Sequence, residues 1–219
     1  MKNNIILISI ILLLQACYGK ERNTQNYSNK SQSESEALNQ NIKRAYFASG
    51  CFWCVEAIYE SIIGVKEVYS GYSGGITLNP TYNSIGTGET GHAEAVEVIY
   101  DTSIVSFETL VNVFFGSHDP TTLNSQGPDR GTQYRSIAFY QTDEEKKIIE
   151  NHIKQLTENK VFKRKIITEV KELEKFFIAE NYHQNYERLN PNNSYVRNVS
   201  IPRLKRFKAK FPDLLKVKN

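Results

Sequence analysis

The chain of 219 residues predicts an α+β domain in which helices pack on a mixed, largely antiparallel sheet. Three observations carry that prediction. From residue 43 onward, strand-like and helix-like stretches follow one another in the order β-α-β-β-α-β-α-β. With 40% hydrophobic residues, the chain has enough apolar side chains for one good core, and its length suits a single domain. No internal repeat interrupts that order.

The elements follow from local chemistry. KRAYFA is a short strand that ends at Ser49-Gly50, and CFWCVEAIYESI places Phe52, Val55, Ile58, Tyr59 and Ile62 at helical spacing before stopping at Gly64. VKEVYSGYSGG is strand-like until its glycines, and NPTYNSIGTGETGH reads as a turn-rich loop. AEAVEVIY alternates apolar and acidic residues, as a strand with one wet face does. Ser106 caps a helix over FETLVNVFFG. The loop SHDPTTLNSQGPDRGTQ, 17 residues long, exceeds ordinary connections, which marks function or disorder. YRSIAFY is a further strand, and Thr142 and Glu145 form a capping box for the helix DEEKKIIENHIKQLT. KIITEVKEL is the last strand, followed by FFIAENYHQNYERLNPNN, a loop rich in aromatics.

The C-terminal run IPRLKRFKAKFPDLLKVKN carries seven Lys or Arg against Asp213. Its Leu204, Phe207, Phe211 and Leu214 recur at spacings of three and four, so it is expected to pack on the domain as an amphipathic tail. No aromatic-interleaved groove accompanies the basic run. A net charge of +3 with 23% charged residues calls for no nucleic-acid partner.

At the other end, Met1-Lys2-Asn3-Asn4 precedes IILISIILLL, a basic n-region and an apolar h-region of ten residues. That run is too short to span a bilayer, which takes roughly 20 residues, and matches an export signal over residues 1–16. The ending Leu14-Gln15-Ala16-Cys17 resembles the bacterial lipoprotein signal, in which the Cys is lipidated and becomes the mature N-terminus. The expected mature chain is therefore an exported lipoprotein, anchored to a membrane through Cys17 on its periplasmic or cell-surface side. Residues 17–42, rich in Asn, Gln, Ser, Lys and Glu, cannot bury enough surface to fold and read as a flexible tether. Residues 43–219 form the domain.

SGCFWCVE (49–56) concentrates the chemistry: two of the three cysteines flank a Phe and the only Trp. A metal site, a redox disulfide or a sulfur nucleophile in an aromatic pocket each use part of that arrangement. Cys51 follows a strand-end glycine and opens a helix, where backbone N–H groups and the helix dipole favour thiolate. Cys54, three residues on, faces the same side of the first turn, within reach of a disulfide. Zinc needs three or four ligands, there is no second Cys pair, and His92, His118 and His183 lie on three separate loops. A thioredoxin-like oxidoreductase also uses Cys-x-x-Cys after a strand and is the rival on these mechanics alone. Chain length, the bulky Phe52-Trp53 pair and a set of polar loop residues stand against it.

Those loop residues are distinctive in combination. SGCFWCVE, GYSGG (71–75), NPTY (79–82), GHAEAVEV (91–98), HDPTTLNSQGPDRGTQYRS (118–136) and AENYHQNY (179–186) together resemble the peptide methionine-S-sulfoxide reductase A family, across residues 43 to 212. The resemblance implies a two-layer ferredoxin-like α+β sandwich and reduction of the S epimer of methionine sulfoxide, free or within oxidised proteins, without a metal or organic cofactor. It implies Cys51 as the thiolate that attacks the sulfoxide sulfur and Glu94 as the acid that protonates the oxygen. Tyr82 and Tyr134 fall at positions whose hydroxyls hold that oxygen. Phe52 and Trp53 are expected to box the S-methyl group, a favourable sulfur–aromatic contact, and Asp129 to hold the substrate's main-chain side. His183 and Tyr186 line the pocket less directly. Each has a plainer reading when taken alone: Glu94 as a solvated strand residue like Glu97, the tyrosines as packing, Asp129 as a turn residue. His118 and His152 carry only such plain readings.

One departure from the family pattern matters. Its commonest version has Gly where this chain has Cys54 and recycles through cysteines near the C-terminus, but here no cysteine follows Cys54. Cys54 is thus the candidate resolving thiol, with a thioredoxin-like donor expected to restore the dithiol, and a monomer is expected.

Overall fold

Alternation along the first strand decides which face of the sheet carries the helices. In the computed structural model, which describes residues 41–217, this strand, β1 (Ile42–Ser49), points Ala45 and Phe47 one way and Tyr46 and Ala48 the other. Its next neighbours in sequence are α1 (Phe52–Glu60), β2 (Val65–Ser73), α2 (Tyr82–Gly86), β3 (Ala93–Asp101) and α3 (Phe107–Ser117). The long loop contains a hairpin of β4 (Ser125–Gln126) and β5 (Asp129–Arg130), and the chain continues through β6 (Ser136–Tyr140), α4 (Asp143–Glu158), β7 (Glu169–Glu172) and β8 (Phe176–Ile178). It ends in the short α5 (Tyr186–Leu189), a π-helical turn over Val196–Ser200, and α6 (Ile201–Lys210). The signal segment 1–16, the lipid-attachment Cys17 and the tether up to residue 40 lie outside the described residues.

Six strands pair in the order β7-β6-β1-β3-β2-β8. All neighbours are antiparallel except β6 and β7, which are parallel. The central four with α1 and α3 make the split β-α-β that the resemblance implies, with β7 and β8 added at the edges. One face of the sheet buries Phe47, Val68, Tyr72, Val96, Val98 and Tyr100 against Val55, Ile58 and Tyr59 of α1 and Leu110, Val111 and Phe114 of α3. The opposite face carries the smaller cluster Tyr46, Ala48, Ala93, Ala95, Ile137 and Phe139. The C-terminal run packs as expected, with Phe207 buried and Leu204, Phe211 and Leu214 against the main core.

Several local expectations are corrected. β3 is interior, so its first half is buried on both faces instead of having one wet face. The turn-rich loop contains α2, closed by a capping box between Thr81 and Ser84. At α4, Thr142 accepts from Glu145 N–H at 3.2 Å, but the Glu145 carboxylate reaches one residue further back, to Gln141 N–H at 2.7 Å. The aromatic-rich loop begins as strand β8, pairing Phe176–Ile178 with Gly71–Ser73.

Candidate active site

The sheet register brings the two ends of the chemistry together. β1 pairs with β3 through Phe47↔Val96, and the same register continued carries Ser49 to the level of Glu94. Gly50, at φ +89°, then turns the chain sharply, and α1 begins directly above Glu94. Cys51 is the N-cap residue; its carbonyl accepts from Cys54 N–H at 3.2 Å and Val55 N–H at 3.3 Å, and its side chain caps nothing.

The capping role falls to Glu94. Its Oε2 accepts the Phe52 N–H at 2.9 Å, occupying a donor at the positive end of α1. Glu94 shares the parity of Val96 and Val98, so it points under the helix and is only 2% exposed. Burial pushes its carboxyl up to about 8, with the Phe52 N–H opposing and the nearby Asp129 and Cys54 charges adding to the rise. Near pH 7 this carboxyl is held in its protonated form. A cavity of about 190 Å³ beside it is walled by Tyr82, Ile85, Glu94, Gln133 and Tyr134. Burial, with the Glu94 charge next, holds the Tyr82 hydroxyl up at about 12 and raises that of Tyr134, so both remain O–H donors.

Both thiols are free and buried. The expectation that helix position lowers the Cys51 thiol is not met. Burial pushes Cys51 up, its hydrogen bond with Cys54 and the adjacent Glu94 push the same way, and the helix N–H is already taken. The first ionisation of the pair belongs at Cys54, held down at about 6 chiefly by the hydrogen bond from Cys51, then by Arg203 and Ser200. The Cys54 sulfur stands 3.9 Å from the Tyr195 hydroxyl, which itself donates to Asp129 Oδ2 at 2.6 Å.

Aromatic packing fixes the first turn. Trp53 is stacked on Tyr186 with ring centroids 3.7 Å apart, and its indole N–H donates to His183 Nδ1 at 3.1 Å. That contact fixes a neutral His183 whose Nε2 carries the proton, 3.9 Å from Glu180, and burial lowers its basicity. Phe52 is buried against Tyr72, Tyr82 and His183. Cys51, Phe52 and Trp53 are not among the residues walling the small cavity; Phe52 stacks on Tyr82, which is. Asp129 lies on the Cys54 side, in a separate cavity.

Three contributors escaped the sequence reading. Glu180 accepts from Tyr72 O–H at 2.7 Å and Tyr82 N–H at 3.0 Å, and so ties α2 to β2. Gln184 continues the strand pairing at Ser70, accepting its N–H at 2.9 Å and donating to its carbonyl at 3.0 Å. Tyr195 links Cys54 to Asp129. Glu180 and Gln184 stood inside the AENYHQNY block, whereas nothing local distinguishes Tyr195 among 13 tyrosines. The histidines with plain readings keep them: His118 bonds Phe114 O and Ser136 Oγ, and His152 stacks on Phe115. His92 likewise gives both ring nitrogens to the backbone, at Gly75 N and Thr77 O.

A thiol with a second thiol one turn away and a buried carboxyl at the same helix end can accept an oxidising equivalent and store it as a disulfide. This is the chemistry of thiol-dependent oxidoreductases. Residues 43–215 match the family model described as peptide methionine sulfoxide reductase. A peptide methionine sulfoxide reductase MsrA of Polynucleobacter asymbioticus is 45% identical over 174 residues, covering 80% of this chain and 92% of the relative. The MsrA of Trichodesmium erythraeum is 49% identical over 164 residues, covering 75% and 93%. Among solved structures, reduced Mxr1 from Saccharomyces cerevisiae matches with a TM-score of 0.64 at 33% identity, covering 70% of this chain and 88% of its own. Methionine sulfoxide reductase A of Corynebacterium diphtheriae matches at 0.62 and 35%, covering 70% and 77%. The chain belongs to the peptide methionine sulfoxide reductase family, and it is an enzyme that reduces methionine sulfoxide.

Proposed function

We propose that the enzyme acts on the S epimer of methionine sulfoxide, protein-bound or free, through Cys51, Glu94 and Cys54. The observation that carries this reading is the buried Glu94 carboxyl at the helix end that presents Cys51, with its proton retained to about pH 8. Cys51 passes its proton to the Cys54 thiolate and attacks the sulfoxide sulfur. Glu94 gives its proton to the sulfoxide oxygen, which is otherwise a poor leaving group, and the Tyr82 and Tyr134 hydroxyls hydrogen-bond it. The protonated oxygen then passes from the substrate sulfur to the Cys51 sulfur: the substrate S–O bond breaks, a Cys51 S–O bond forms, the bond between the two sulfurs breaks, and methionine departs, leaving Cys51 as a sulfenic acid. The Cys54 sulfur then attacks Cys51; hydroxide departs with the Cys54 proton as water, and a Cys51–Cys54 disulfide remains. Glu94 regains its proton from solvent. A thioredoxin-like dithiol returns the disulfide to two thiols.

The test is a Cys54→Ser variant in single turnover. It should still release about one methionine per enzyme, lose turnover supported by thioredoxin, and accumulate a dimedone-reactive sulfenic acid on Cys51. Cycling with thioredoxin at the wild-type rate would make Cys54 a packing residue.

The setting we infer is a monomeric, exported domain tethered through lipidated Cys17, supported by the Leu14-Gln15-Ala16-Cys17 ending and the polar segment after it. Native material recovered as a soluble chain with an unmodified N-terminus would count against it.

A further inference from the structure

Glu94 and Cys54 line two different spaces. The cavity walled by Glu94, Tyr82 and Tyr134 shares no lining residue with a larger one of about 660 Å³ into which Cys54 opens. That volume is in the range of small-molecule sites, roughly 300–1,000 Å³. Along one side of it α6 presents Arg203, Arg206 and Lys210, a spacing of three and four residues that sets all three on one helix face. The buried Arg203 guanidinium is fixed by donating to Ser49 O and Ser117 O, each at 3.0 Å, and it lies close enough to Cys54 to favour the thiolate. Lys210 donates to Gly116 O at 3.4 Å. None of the three cations is ion-paired among the described residues. Two carboxylates also line the space: Asp119 is bridged to Arg164 at 3.1 Å, and Asp129, which accepts from Tyr195, offsets one of the three cations. His118, driven down to about 3 by burial, is neutral. The cavity is therefore cationic, roomy, and has a redox sulfur in its wall.

We propose that this cavity binds a low-molecular-weight thiol bearing carboxylates and lets it reduce the Cys51–Cys54 disulfide by attack on Cys54, a route additional to a protein dithiol. The inference rests on the reading of Cys54 as the resolving thiol. The donor thiolate forms a bond to the Cys54 sulfur, the Cys51–Cys54 bond breaks, and Cys51 leaves as thiolate and takes up a proton. A second donor thiolate attacks the donor sulfur of the mixed disulfide, releasing the donor's own disulfide and the Cys54 thiolate. Two thiols thus supply the two electrons that the protein disulfide takes up. Substrate enters on the Glu94 side and reductant on the Arg203 side, so neither needs the other's space.

The experiment begins with full-length enzyme oxidised by one equivalent of methionine sulfoxide, with loss of two hydrogens from the Cys51–Cys54 peptide confirmed by mass. Rates of disulfide reduction are then measured with glutathione and with its diethyl ester, which lacks both carboxylates. The expected result at low salt is saturation with glutathione and a preference for it of about tenfold or more, the scale of electrostatic attraction into a charged cleft. The preference should shrink as salt rises and invert in an Arg206→Glu/Lys210→Glu variant, both residues being exposed. Rapid acid quench followed by alkylation of the freed Cys51 should trap glutathione bound at Cys54. Equal, unsaturating rates for the two thiols, a charge reversal without effect, or an adduct at Cys51 would overturn the inference while leaving Cys54 as the resolving thiol. Failure of the first step to give the disulfide would overturn that underlying reading and the cavity's role together.

Discussion

Glu94 accepts the first free N–H of α1 while standing 2% exposed beneath it, so opposing forces set its proton affinity. Desolvation wins, and the carboxyl stays protonated to about 8. The thiol pair loses its first proton near 6. The rate of sulfenic-acid formation should therefore rise as pH passes about 6, when the thiolate appears, and fall as pH passes about 8, when the acid is lost. Glu94→Gln should slow that step by about 10² to 10⁴ and remove the falling limb. Rapid-quench single-turnover assays across pH check both; an unchanged rate in the variant would end the acid role. Glu94's depth was legible in principle from parity alone. In Ala93-Glu94-Ala95-Val96-Glu97-Val98 it falls in phase with the valines, whereas Glu97 falls in phase with the alanines of the other face, where it accepts from Tyr46 O–H at 2.6 Å. What parity cannot supply is the Phe52 N–H, which comes from a segment 42 residues away. The same distant bond is why helix position alone misjudged the Cys51 thiol.

The strand–glycine–helix junction is the element that aims Cys51. A Cβ at Gly50 would stand 2.6 Å from Gln126 Cβ, and the backbone there is in the left-handed region. Gly50→Ala should cost on the order of 1–3 kcal/mol and lower the single-turnover rate as the first turn shifts, read by thermal unfolding and methionine release. Wild-type stability and rate in this variant would mean the turn has slack that the geometry denies. The long elements β1, α1, β2, β3, α3 and α4 were legible because each carries several apolar residues in one period. The short ones were not. β4 and β5 have two residues each, β8 has three and α2 five, too few to show a period, and their pairing partners are supplied by tertiary contacts. The aromatic loop after β8 hid its function for a related reason. Its Gln184 and Glu180 act as hydrogen-bonding struts to β2 and α2, which composition does not reveal.

The whole domain carries the energetic consequence of burying carboxyls. Glu94 has a folded value raised from 4.5 to about 8, so its favourable contribution is fully present below 4.5 and is lost as pH rises through 8. Glu56, raised by burial to about 7, acts with the same sign. Glu94→Gln removes the first of these penalties. Its advantage in unfolding free energy over the wild type should be small near pH 4.5 and widen up to pH 8, by a few kcal/mol at about 1.4 kcal/mol per pH unit, with melting temperature following in the same direction. Parallel curves of melting temperature against pH for the two proteins would show that Glu94 does not hold its proton in the folded state.

At this scale the sheet brings Glu94 to the end of the helix that Cys51 opens, and the most direct measurement addresses the roles proposed for both. Reduced enzyme is mixed anaerobically with each separated epimer of methionine sulfoxide, without external reductant, and methionine and peptide masses are read after one turnover. The account predicts about one methionine per enzyme from the S epimer, none from the R epimer, and a disulfide joining Cys51 to Cys54, all abolished in Cys51→Ser. Equal yields from both epimers, or methionine formed by Cys51→Ser, would contradict it.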